Sequence, residues 1–232
     1  MTKTNFLRIS LTRKETQRGI RYLLFQIAFL PSLLGVLNQI LPFSLNTTQL
    51  NFLFFCANFT AALLIFRRYL GEFLRPGMSD ALRIAWVSVA FWAAYWLSTA
   101  LLTKVLTALV PGFVNQNDQS IAAMSGSHYA LMFLGTVFLV PVAEECFHRG
   151  LVFRSLYSRS GVAAFLVSAA VFSAVHIVNY IGSYTLAELA VSFVQYLPAG
   201  FCLAGAYRLS GSLISPILIH MAVNAMGMLA LR

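Results

Sequence analysis

Long apolar segments recur along the whole chain, and they limit what it can fold into. Each has roughly the 20 mostly apolar residues that an α-helix needs to cross a bilayer. Seven such segments occur, at 20–41, 50–66, 84–109, 129–149, 162–181, 186–207 and 212–231. Only 10% of the residues are charged, whereas an average soluble domain has about 25%. The sequence therefore predicts an all-α membrane protein, a polytopic bundle of about seven transmembrane helices.

The basic residues predict how this bundle is oriented. If the N-terminus starts in the cytoplasm, the inner segments and adjoining helix ends hold 14 of the 16 Lys and Arg residues. Only Lys104 and Arg232 then fall outside. Because short cytoplasmic loops of membrane proteins are rich in Lys and Arg, we expect the N-terminus inside, the C-terminus outside, and a location in the inner cell membrane. The same rule accounts for the net charge of +9, so no nucleic-acid partner is expected.

The sequence divides into three predicted parts. Residues 1–19 form a basic cytoplasmic arm, and 20–128 hold three spans with a polar outer loop at 110–128. Residues 129–232 form a core of four spans that carries the chemistry. Pro31 and Pro198 lie inside spans and are expected to bend them. The three cysteines are odd in number and lie in apolar stretches without a C-x-x-C pair, so we interpret them as reduced packing residues.

Several polar side chains lie inside the predicted spans of the core. An ionisable residue within a span is costly and marks a functional site by default. Residues four apart share a helix face, so we expect Glu145 to pair with Arg149 and Phe172 to pack beside His176. A depth estimate from the rise of about 1.5 Å per residue places Glu144, His176 and His220 at one level near the cytoplasmic face, provided that the hairpin between the fourth and fifth spans protrudes into the cytoplasm. The polar side chains are Glu144, Glu145, His148 and Arg149 in the fourth span, His176 in the fifth, and His220 and Asn224 in the seventh.

Such a set of side chains in one cavity contains the groups that a hydrolase needs. A carboxylate that is partly removed from water holds a proton more readily, which suits a general base. A His and an Asn together can donate hydrogen bonds to an oxyanion. Glu144, His176 and His220 could instead bind Zn²⁺, since two His and one Glu are a common zinc ligand set. Both a metal-free and a zinc-dependent site are open at this stage, although no H-E-x-x-H is present.

The order of these residues resembles a known family. Glu144-Glu145-x-x-x-Arg149, Phe172-x-x-x-His176 and His220-x-x-x-Asn224 are similar to the three motifs of the CAAX-protease and bacteriocin-processing family. These intramembrane proteases include the Ras-converting CAAX endopeptidase, and the resemblance covers residues 140–224.

The resemblance implies a role for each motif residue. It makes Glu144 the general base that activates water, assisted by His176, and it makes His220 and Asn224 the groups that stabilise the oxyanion. Glu145 and Arg149 take a more structural part. His148 is an addition to the motif, and its position four residues after Glu144 suggests that it could tune that carboxylate.

Three classes of function follow. The first is an intramembrane endopeptidase whose partners are the lipid bilayer and a peptide or membrane-protein substrate, of the CAAX type or another. The second is a bacteriocin self-immunity protein that acts by binding rather than by catalysis. The third is a proton-coupled transporter that uses the buried Glu and His, although the sequence shows no inverted repeat.

Overall fold

The structure, a computed structural model, describes residues 10–73 and 78–232. Within these two stretches every extended regular element is a helix. Two short π-helical stretches, Gly135–Leu139 and Cys146–Phe153, connect α5, α6 and α7 into one long helical segment. The helices are α1 (Arg13–Ala28), α2 (Leu30–Ile40), α3 (Thr47–Phe73), α4 (Met78–Leu109), α5 (Gln116–Leu134), α6 (Val140–Glu145), α7 (Arg154–Tyr157), α8 (Gly161–Ile177), α9 (Leu186–Ser210) and α10 (Ile214–Ala230).

The predicted class of all-α polytopic membrane protein is confirmed. All seven predicted spans are helical, but they differ in length. Helices α1 and α2 together would make a sixth span, and α10, with 17 residues, is a shorter apolar helix. The count of seven and the orientation stay predictions. Five segments are long and apolar enough to cross a membrane: Thr47–Glu72, Asp80–Leu109, Gln116–Tyr157, Gly161–Tyr180 and Leu186–Ser210.

The first predicted span is broken into α1 and α2, which meet at an angle of 58°. Pro31 lies in the first turn of α2, where its missing N–H costs no hydrogen bond. The bend expected near Pro31 is therefore present. The predicted arm 1–19 is helical from Arg13, because Thr12 and Glu15 form a capping box there. The first nine residues of that arm lie outside the described residues.

The outer loop predicted at 110–128 is wrong from Gln116 onward, because α5 begins there. Asn115 caps this helix, its side chain accepting hydrogen bonds from the backbone N–H groups of Asn117 and Asp118. A short polar side chain at this position satisfies donors that the first turn leaves unpaired. The backbone departs from helical geometry at His128, so the predicted span from residue 129 begins at a kink within a longer helix.

At one end of the bundle, here called the basic end, the starts of α1 and α4 lie beside the ends of α3 and α9. Arg68 on α3 donates to Glu15 at 2.8 Å and to the carbonyl of Ser10 at 2.6 Å. Arg83 on α4 donates to the carbonyl of Ser210 at 2.9 Å. Ten of the described Lys and Arg residues lie in α1, at these ends of α3, α4 and α9, or in α7 and the turn after it, where Arg208 of α9 contacts Tyr157: Arg13, Lys14, Arg18, Arg21, Arg67, Arg68, Arg83, Arg154, Arg159 and Arg208.

The opposite end, here called the cavity end, brings together the starts of α3, α5 and α9 with the ends of α4 and α10. Asn115 donates to Gln195 of α9 at 2.7 Å. Tyr129 donates to the carbonyl of Met228 of α10 at 2.9 Å. These hydrogen bonds fix which helix ends surround the site described next.

Candidate active site

A cavity of about 890 Å³ lies among the helices, and all three motifs line it. Its motif residues are Glu144, Phe172, His176, His220 and Asn224. Helices α3 and α4, which carry no motif, also contribute polar lining residues, among them Asn51, Asn58, Thr99 and Thr103. The N-terminal half of the chain therefore forms part of the cavity wall.

Glu144 and His176 face each other across 3.9 Å, measured from Oε2 to Nε2. Their side chains are 24% and 14% exposed, so both are partly open to the cavity. The His176 Nδ1–H donates to the carbonyl of Phe172 at 2.8 Å. In a neutral ring this bond leaves Nε2 as the acceptor. Two acceptors, Oε2 and Nε2, therefore point toward the same space.

The spacing of these two acceptors suits one water molecule. An oxygen at about 2.8 Å from each, a normal hydrogen-bond length, would see them about 90° apart. That angle is close to the angle between the two hydrogens of water. Glu144 Oε2 has no hydrogen-bond partner among the described residues, so it has an acceptor position to fill. A water held by both hydrogens keeps its lone pairs for attack on a carbonyl carbon.

Two aromatic rings hold the His176 imidazole in place. Phe172 lies with its ring centre 4.6 Å from that of His176, which confirms the predicted packing one turn away. On another side, Tyr196 of α9 stacks on His176 at 4.3 Å with an interplanar angle of 29°. The Tyr196 hydroxyl donates to Asn115 Oδ1 at 3.1 Å. Sequence reasoning missed Tyr196 because it lies in an apolar span without a motif.

The predicted pair of Glu145 and Arg149 is present at 3.0 Å, and both side chains are 0% exposed. Glu145 Oε1 also accepts from His220 Nδ1 at 3.0 Å. A second guanidinium nitrogen of Arg149 donates to the carbonyl of Gly200 at 3.1 Å. Buried charges are stable only when they are paired and hydrogen-bonded, and this group is paired across α6, α9 and α10, while Glu145 Oε2 and Arg149 Nε have no hydrogen-bond partner among the described residues.

The bond to Glu145 limits what His220 can do. Since its Nδ1–H is donated to the carboxylate, Nε2 becomes a donor only when the ring carries a second proton. His220 can therefore donate to an oxyanion as an imidazolium, with Glu145 as its counter-ion.

Asn224 is tied to the start of the fourth predicted span. Its Nδ2 donates to the carbonyl of Thr136 at 2.8 Å. Thr136 lies in the π-helical stretch Gly135–Leu139, a type of distortion that is frequent at functional sites. The amide nitrogen carries two hydrogens, so one remains for a ligand in the cavity.

His148 does not make the contact with the Glu144 carboxylate that its spacing suggested. Its ring is almost completely buried and packs edge-on against Phe172, with ring centres 5.3 Å apart. The ring nitrogens form no hydrogen bond to that carboxylate. His148 is the third residue of a π-helical stretch that starts at Cys146, so the spacing of a regular α-helix does not hold here.

The zinc alternative has a weaker fit to the site. In the part of the chain that the structure describes, no three His, Cys, Asp or Glu side chains are placed to hold one metal ion. The hydrogen bond of His220 Nδ1 to Glu145 does not separate the two alternatives, because a zinc-bound His commonly donates its other ring N–H to a carboxylate. The geometry of Glu144, His176 and His220 therefore fits a water held by two of them better than a three-ligand zinc centre.

Comparison with known proteins agrees with the motifs. Residues 126–226, which contain all three, match the family described as type II CAAX prenyl endopeptidase Rce1-like. A curated protein from Escherichia coli, described as an uncharacterized 24.3 kDa protein, is 29% identical over 172 residues, which are 72% of each chain. No solved structure matches the chain significantly. Residues 126–226 therefore match an Rce1-like domain, which supports the assignment to the CAAX-protease and bacteriocin-processing family.

Proposed function

We propose that this protein is an intramembrane endopeptidase that hydrolyses a peptide bond with a water molecule held by Glu144 and His176. Family membership supports a protease in general. The observation that carries the finer proposal is the 3.9 Å separation of Oε2 and Nε2, with the far side of the His176 ring fixed by Phe172. Neither acceptor can satisfy the other, so both are available to one water.

The reaction needs two proton transfers, one from the water to Glu144 and one from Glu144 to the leaving amine. The water oxygen bonds to the carbonyl carbon of the substrate while Glu144 takes one of its protons. The carbonyl oxygen then carries negative charge, which the remaining N–H of Asn224 and a protonated His220 would stabilise. When the C–N bond breaks, Glu144 returns the proton to the leaving amine. Donors aimed at the charge that develops lower the barrier more than donors to the ground state do.

The proposed substrate is a peptide precursor or a segment of a membrane protein, and the proposed location is the inner cell membrane. The lining of the cavity supports a peptide, because it combines apolar side chains with many amides, such as Asn51, Asn117, Asn179 and Gln195. Such groups satisfy the N–H and C=O groups of an extended backbone. The basic end would face the cytoplasm, by the rule for Lys and Arg.

Cleavage by purified protein tests the proposal. Wild type in nanodiscs is incubated with a library of apolar peptides, and products are identified by mass spectrometry. Glu144→Gln keeps the shape of the side chain but cannot take a proton, so cleavage should fall by about 10²–10⁴-fold with an unchanged melting temperature. Cleavage at the wild-type rate by Glu144→Gln would refute the mechanism. If neither protein cleaves and both protect cells from a bacteriocin, the binding-only alternative is favoured.

A further inference from the structure

The cavity is lined by one half each of α3, α4, α8 and α10, together with both halves of the long segment from α5 to α7. Helix α3 contributes residues from its first half and α4 from its second half. Helix α8 contributes its last turns, where His176 is the sixteenth of 17 residues, and α10 contributes residues from His220 onward. All these halves point away from the basic end. The site therefore lies toward the cavity end of the bundle.

Residues at the cavity end also form its rim. Asp118, near the start of α5, and Asn179, in the connection between α8 and α9, both line the cavity and are exposed. Asn117 and Tyr180 lie beside them in the same lining. The described loops at the basic end contribute nothing to the lining, including the turn at Ser158 between α7 and α8.

The two ends differ strongly in charge. Ten described Lys and Arg residues lie at the basic end, whereas only Lys104 and Arg232 lie at the cavity end. The lining itself contains no Lys or Arg among the described residues. Because Lys and Arg in short loops mark the cytoplasmic side, the basic end is the cytoplasmic one and the rim of the cavity is on the opposite side.

We infer that the catalytic cavity opens at the non-cytoplasmic face, and that its substrate is a peptide segment presented there. Such a peptide segment could belong to a translocated peptide or to an extracytoplasmic part of a membrane protein. The sequence-based depth estimate placed the site near the cytoplasmic face instead. That estimate needed the hairpin between the fourth and fifth spans to protrude, whereas α8 places His176 one residue from its far end.

Accessibility of two introduced cysteines tests the side on which the cavity opens. Cys56, Cys146 and Cys202 are first replaced by Ala, so that no native thiol reacts. Asn179→Cys then reports the rim, and Ser158→Cys, which is also exposed, reports the basic end as a matched control. Each variant is expressed in bacteria, and spheroplasts are prepared from the cells. The spheroplasts are treated with a membrane-impermeant sulfonated maleimide, either intact or after permeabilisation. Asp118→Cys and Arg159→Cys are a second pair, used if a variant of the first pair fails to react in detergent.

The inference predicts that Asn179→Cys reacts in intact spheroplasts and that Ser158→Cys reacts only after permeabilisation. Reaction of Asn179→Cys only after permeabilisation, or of Ser158→Cys in intact spheroplasts, overturns it. The nature of the substrate rests on the proposed function, but the labelling does not need activity. An inactive protein with a rim labelled from outside would refute the protease proposal alone, and an active one with a rim labelled from inside would refute this inference alone.

Discussion

His220 Nδ1 lies 3.0 Å from Oε1 of Glu145, and the Glu145 side chain has no exposed surface. The same oxygen accepts from Arg149 at 3.0 Å. In the proposed mechanism, Glu145 would therefore act as a positioning residue for His220. Although adjacent in sequence, Glu144 and Glu145 face different surroundings, one the cavity and the other a closed network.

Glu145→Gln should destabilise the protein, because it leaves the Arg149 charge buried without a counter-ion. Loss of one partner of a buried ion pair costs about 3–5 kcal/mol, and thermal unfolding in detergent would show it as a lower melting temperature. Glu188→Gln, at the exposed cap of α9, is the control and should change unfolding little. A melting temperature of Glu145→Gln equal to that of wild type would mean that the buried pair does not hold the helices together.

Tyr196 should position His176 through its ring rather than through its hydroxyl. Tyr196→Phe keeps the stacking, whereas Tyr196→Leu removes it. An aromatic contact contributes about 0.5–1.5 kcal/mol beyond burial, so kcat of Tyr196→Leu should fall about 2- to 10-fold with KM nearly unchanged. Nitrogen NMR of the four histidines should show a fixed Nδ1–H tautomer at His176 in wild type and Tyr196→Phe, and an averaged one in Tyr196→Leu. Equal behaviour of the two variants would contradict a role for the ring.

Gly200 should not tolerate a larger side chain. A Cβ atom there would lie 2.7 Å from Ala169 Cα, and close packing of membrane helices depends on such small residues. Gly200→Ala should therefore separate α8 from α9 and lower stability by about 1–3 kcal/mol. Gly71→Ala is the matched control, because nothing lies within 4 Å of its Cβ position and Ala favours a helix by up to about 1 kcal/mol. If both variants unfold at the same temperature, the contact with Ala169 is not tight in solution.

Two contacts within one helix turn were predictable from the sequence, whereas the contact of His148 with the Glu144 carboxylate, expected from the same spacing, did not form. The pairs Glu145–Arg149 and Phe172–His176 both formed as expected. Contacts between distant parts of the chain were not predictable in this way. Asn224 bonds to Thr136, 88 residues away, and no local pattern indicates which carbonyl it meets.

The polar stretch at 110–128 shows the same limit. Its composition is typical of a loop, yet a helix begins at Gln116. The Gln116 side chain bonds to Ser192 of α9, and Asn115 contacts Gln195 and Tyr196 of the same helix. Tertiary hydrogen bonds therefore stabilise a helix that sequence propensity alone does not indicate.

The joint action of Glu144 and His176 on one water is tested most directly by a double-mutant cycle. Single-turnover cleavage of one peptide is measured for wild type, Glu144→Gln, His176→Ala and the double variant, with enzyme in excess. Groups that act as a unit give strongly non-additive losses, so the double variant should be about as slow as the slower single variant. Losses that multiply in the double variant would show that the two residues act independently and would contradict a shared water.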